Sequence, residues 1–159
     1  MKHPIAQTNL QLYNQMIAAG YSDEDLALVR EAYELGIELF TGRVNSSGRV
    51  FSAHGVGSAS ILVQIGEPAM MVAAGMVHNV FWNGVWKDGV PGATKAKREE
   101  VRRRLGDDIL PCLERFHTLP WNEQTAADLI ARFDELDQTT YQTILLRVVD
   151  HIDHLLDGG

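Results

Sequence analysis

Apolar residues recur along this chain at intervals of three and four over almost its whole length, and runs that alternate apolar with polar are hard to find. That period predicts helices rather than strands. Ser22 stands before "DEDLALVREAYELGIELF", whose acidic first turn and Ser22/Asp25 spacing mark a capped helix over about 23 to 41. The polar, glycine-containing "TGRVNSSGRV" predicts a loop in which three short side chains bond their own backbone. "FSAHGVGSASILVQI" resumes the helical period over about 51 to 65. Gly66 is then a stop signal, and Pro68 opens a further helix over about 68 to 82. The two helices form a tight hairpin, because their alanine, glycine and serine content lets the backbones approach closely.

Downstream, "WKDGVPGAT" predicts a loop, "KAKREEVRRRLG" a helix ended by Gly106, and "DDILPCLERFH" a short helix that tolerates Pro111 only near its start. Asn122 is placed to cap "EQTAADLIARFDEL". The last helix, "TYQTILLRVVDHIDHLL", gathers Ile144, Leu145, Val148, Val149, Ile152, Leu155 and Leu156 on one stripe at about 100° per residue. Asp150 lies nearly opposite that stripe. It reaches a site only if the helix is covered on two sides, which Leu146 on the same side supports, and Asp153 and His151 flank the stripe as alternative contributors. Seven or eight helices with short connections describe an irregular all-α bundle, one domain across residues 1–159.

Composition narrows the class. A chain of 159 residues buries about 70% of its unfolded surface in a single core. With 45% apolar and 22% charged residues it has the balance of a soluble globular protein. No apolar run reaches the roughly 18 residues that span a bilayer, so no membrane partner is expected. The start "MKHPIAQTNLQLYNQ" lacks the apolar core of a signal peptide, and Cys112 is the single cysteine, which fits a reducing cytoplasm. A net charge of -7 repels phosphate backbones, and the one basic stretch, "KAKREEVRRR", reads as a solvated helix face, so no nucleic-acid partner is expected.

The candidate chemistry sits on the hairpin. His54 lies twelve residues before Gly66 and His78 twelve residues after it. At a rise of about 1.5 Å per residue both imidazoles stand about 18 Å from the turn, level with each other and able to share one ion. The small residues around them (Ala53, Gly55, Gly57 and Ala59; Ala73, Ala74 and Gly75) make such a site tight and partly buried. His117 has no spaced partner and reads as structural. Phe81, Trp82 and Trp86 follow His78, and Trp121 comes later. Together they suit the wall of an apolar or planar ligand, with Lys87, Arg43 or Arg49 as anion anchors.

The pattern of His54, then "HN" 24 residues later at the end of an "AAG-M-V" helix, then an aspartate on a late helix resembles the HD-domain superfamily. "HGVGSASILVQIGEPAMMVAAGMVHN" followed by "KREEVRRRLGDDILPCLERF" is most similar to the hydrolase domain of bacterial guanosine tetraphosphate synthetase/hydrolases. "HNVFWNG" resembles small uncharacterised HD-like proteins in which an aromatic and then a glycine follow the second histidine. The resemblance covers about residues 30–157. It implies a divalent metal, usually Mn²⁺ or Fe²⁺, that activates water against a phosphoester, held by His54, His78, residue 79 and Asp150; two histidines and one carboxylate would also take Zn²⁺.

Residue 79 is the departure, since Asn79 stands where the family has aspartate and offers a neutral carbonyl in place of a charged oxygen. His54, His78 and Asp150 remain as a two-histidine, one-carboxylate set. "NVFWNG" also lacks the acidic pair that follows the doublet in the guanosine tetraphosphate hydrolases, which disfavours that substrate. The expectation is an HD-like protein with a reduced divalent-metal site acting on a small molecule, either a phosphoester hydrolase or a metal-dependent biosynthetic enzyme. Asn79, Trp82, Trp86, Lys87 and Arg49 are its candidate substrate-binding residues. The alternative is a metal-free HD-fold binding or scaffolding module without catalytic activity.

Overall fold

A computed structural model describes residues 4–45 and 48–156, and everything regular within them is helical. In chain order the helices are α1 (Asn9–Ala18), α2 (Asp23–Phe40), α3 (Phe51–Gln64), α4 (Ala69–Val77), α5 (Val80–Asn83), α6 (Lys95–Leu105), α7 (Leu110–Phe116), α8 (Glu123–Ala131) and α9 (Gln138–Leu156). A 3₁₀ turn, Phe133–Glu135, lies between the last two. α5 is a single turn, and the other eight are the helices of the bundle. The all-α expectation holds.

Local signals explain most of the boundaries. Ser22 and Asp25 form a reciprocal capping box on α2, Asn122 and Thr125 form one on α8, and Thr8 and Gln11 form one on α1. α3 ends in a Schellman turn: Gly66 takes a φ of 80°, the Glu67 N–H donates to the Leu62 carbonyl, and the Gly66 N–H donates to that of Val63. In the loop before α3, the Asn45 side chain accepts from the Arg49 N–H, as expected of a short polar side chain. Ser46 and Ser47, the other two side chains of that expectation, lie outside the described residues.

Three elements differ from the sequence reading. The helix expected over 68 to 82 breaks after Val77, where His78 Nδ1 bonds the Gly75 carbonyl at 2.8 Å. That oxygen is the one a continuing helix would give to the Asn79 N–H. The helix expected through residue 136 stops at Ala131; α8 buries no residue, so little beyond its cap holds it. On α9 the expected apolar stripe docks only in part: Val149 is buried and Leu145 packs against the core. Val148, Ile152, Leu155 and Leu156 are exposed, while Thr140, Thr143, Leu146, Val149 and Asp153 are buried.

The core is built on the α3–α4 hairpin, which packs against α2 on one side and α9 on another. Glycines set the spacing. A Cβ at Gly55 would stand 2.5 Å from the Met76 carbonyl oxygen, so the α3–α4 contact needs this position bare, while one at Gly75 would stand 2.5 Å from Leu62 Cδ1 and require that side chain to move. A Cβ at Gly57 would collide with the Asp153 carboxylate, so this glycine lets α9 bring an acid against α3.

Candidate metal centre

The level placement of the two hairpin histidines is close in space: His54 Nε2 and His78 Nε2 are 3.1 Å apart, and both residues are buried. Asp150 Oδ1 lies 3.1 Å from His54 Nε2 and 3.3 Å from His78 Nε2. One atom from each of His54, His78 and Asp150 therefore falls within 4.8 Å of the other two, a spacing that suits a single ion.

The far side of each imidazole fixes its tautomer. His54 Nδ1 lies 2.7 Å from Asp153 Oδ2, and His78 Nδ1 lies 2.8 Å from the Gly75 carbonyl. Both acceptors take an N–H, which leaves a lone pair on each Nε2. Two lone pairs facing each other at 3.1 Å repel, so a cation belongs between them, either a proton or a metal ion. A carboxylate or carbonyl behind a histidine is also the support that keeps a metal-ligating ring in place. Arg49 Nη1 anchors Asp153 Oδ2 from behind at 2.8 Å, so the expected anion anchor is engaged in holding a carboxylate.

The electrostatics agree with this arrangement. Burial opposes a charge on His54, but hydrogen bonds to Asp150 and Asp153 and the fields of both carboxylates outweigh it and raise its pKa to about 9. Burial would raise the Asp150 carboxyl, yet its close contacts with the His54 and His78 imidazoles outweigh burial and hold it far below the usual carboxylate range. Without metal, His54 thus carries a proton at neutral pH.

The α4–α5 break aims Asn79 into the centre. Its Nδ2 donates to His78 Nε2 at 2.7 Å and its Oδ1 accepts from His117 Nε2 at 2.9 Å. His117, which read as structural for want of a spaced partner, is thereby part of the site. Its pKa is lowered to about 4, first by burial and then by the positive charge of Arg147 and by His78. His154 also belongs: its ring lies 4.7 Å from that of His54 and its Nε2 lies 3.6 Å from Asp150 Oδ1. One signal could have found it, because residues four apart share a helix face and His154 follows Asp150 by four. Nothing in the spacing pointed to His117.

The remaining candidates divide. Trp82 packs on His117 with ring centroids 5.5 Å apart, at the edge of the centre and exposed to solvent. Trp121 sits 5.8 Å from His151, whose Nδ1 donates to the Arg147 carbonyl on the outer side of α9. Trp86 and Lys87 line another cavity, of about 540 Å³, bounded by Leu35, Leu39 and Lys97; none of His54, His78 and Asp150 lines it. Trp86 is tied down there by its Nε1–H to the Val80 carbonyl at 2.8 Å.

No protein-family model matches the chain, and no curated protein matches it in sequence.

Proposed function

We propose that this protein is an HD-like, divalent-metal-dependent enzyme acting on a small molecule, with hydrolysis of a phosphoester as the reaction its ligand set suits best. The observation that carries this reading is the convergence of His54 Nε2, His78 Nε2 and Asp150 Oδ1 within 4.8 Å of one another, with each Nδ1 held from behind. Two nitrogens and one carboxylate suit Fe²⁺, Mn²⁺ or Zn²⁺ and leave coordination positions open for substrate and water. A divalent ion there supplies a Lewis acid that lowers the pKa of water and polarises a substrate oxygen.

The chain's own groups do the rest. Asp153 and Arg49 fix the His54 ring, and the Gly75 carbonyl fixes that of His78. His154, half-buried beside Asp150, is the group best placed to carry a proton between the centre and solvent. Turning the Asn79 amide would present its oxygen to the centre and its NH₂ to His117, which is neutral at physiological pH and able to accept.

A second reading, a metal-free binding module, is favoured by one contact. In it the Asn79 amide donates to His78 Nε2 and satisfies the lone pair a metal would use. Metal analysis of protein purified without chelator separates the two, followed by titration of Mn²⁺ and Zn²⁺ into wild type, His54→Ala and His78→Ala. Stoichiometric metal lost in both variants, with metal-dependent cleavage of a phosphoester panel, supports the enzyme. Binding that survives both substitutions, or none in wild type, rules it out.

A further inference from the structure

Arg147 lies on α9 one turn before Asp150, and its guanidinium carbon stands 4.4 Å from the centroid of the Phe116 ring. Phe116 in turn packs against His78 and His117, with ring centroids 4.8 Å and 5.0 Å away. The cation therefore stacks on the ring that backs the centre, near enough for its charge to act on His117 and to feel Asp150. It makes no hydrogen bond or ion pair among the described residues, and its Nε is fully buried with no partner. An orphaned buried donor on a partly buried charge is costly, and arginine's planar fork is suited to two oxygens of one anion. The centre also needs negative charge, because a divalent ion against the single carboxylate of Asp150 leaves an excess of one positive charge beside that of Arg147. Lys87 and Arg49, two of the three anchors expected from the sequence, line another cavity and hold Asp153 respectively.

We propose that Arg147 is the binding residue for an oxyanion, a phosphoryl or carboxylate group, on the ligand of this centre, gripping it in a fork above Phe116. The inference rests on the proposed metal centre for where the reacting end of the ligand lies, while the anion contact itself needs no metal.

The test is titration of inorganic phosphate and of acetate into chelator-treated and Mn²⁺-loaded protein, using wild type, Arg147→Gln and Arg147→Met. Met keeps an unbranched side chain on Phe116 and removes the orphaned N–H groups, so a folded variant is secured even if Gln is not tolerated. The expected result is phosphate or acetate binding that falls about tenfold or more in both variants, with Mn²⁺ affinity unchanged. Preference for phosphate identifies a phosphoryl group and preference for acetate a carboxylate. A residue that only packs would destabilise when removed. For an anion-binding Arg147 the expected result is instead a higher unfolding midpoint for ligand-free Arg147→Met. Equal anion affinity in wild type and variants, or no binding in wild type up to tens of millimolar, overturns the assignment even if metal binds. Arg147-dependent anion binding in a protein that takes up no metal sustains the assignment and removes the metal reading instead.

Discussion

Raising pH should strip the His54 proton from the metal-free protein and reveal what that proton contributes. Its pKa rises from an ordinary 6.5 to about 9 because Asp150 and Asp153 hold the cation, although burial opposes it. A folded pKa above the unfolded one means that the stabilisation is fully present below about pH 6.5 and disappears as pH climbs through 9. At 1.36 kcal/mol per pH unit the shift is worth roughly 3 kcal/mol. Urea unfolding of chelator-treated protein from pH 6.5 to 9 should record that decline, and His54→Asn should flatten it. His117 acts on the other side: held down to about 4, it makes stability rise with pH between 4 and 6.5 and adds nothing above. Cys112, pushed up to about 12 by burial, begins to matter only above pH 9. The same proton competes with metal, so Mn²⁺ affinity should rise about tenfold per unit toward pH 9, with one proton released per ion. A stability curve that is flat across this window, or one that falls equally in His54→Asn, would refute the charged-histidine account.

Asn79→Asp should tighten Mn²⁺ binding in calorimetry, because a charged oxygen replaces an amide beside His78; equal or weaker affinity would contradict the reduced-site reading. Gly57→Ala should lower stability by about 2 kcal/mol or more despite the better helix former, since the new Cβ displaces Asp153 from His54 and Arg49. Denaturant midpoints check this, and an unchanged or higher midpoint would mean α9 adjusts freely. Asp153→Asn should weaken metal binding about 10- to 100-fold while leaving one site per chain, the effect of losing the carboxylate behind His54.

How far this was legible in the sequence depends on the distance over which each feature is decided. The level histidines were readable because one straight hairpin, punctuated by Gly66, fixes both positions through helical rise alone. Asp150 was named from the family resemblance, whereas periodicity put it outside. The stripe argument assumes that apolar residues choose the docked face, and here paired charges choose it: Asp153 is buried because His54 and Arg49 neutralise it in space cleared by Gly57. His117 and Arg147 depend on how α7 leans against α4 and α9, which no local pattern records. The break at His78 was missed because it comes from a side chain competing for its own helix's carbonyl.

The contact between His54 and Asp153 joins residues 99 apart in the chain. The α3–α4 pairing joins segments adjacent in sequence and can form early, whereas the acids of α9 meet their partners only after a loop of that length has closed. Charged docking of this kind belongs late in folding. Asp153→Asn should accordingly speed unfolding in stopped-flow chevrons and leave the refolding arm almost unmoved, a φ-value near zero. The centre would be the last part of the molecule to assemble and the first to come apart.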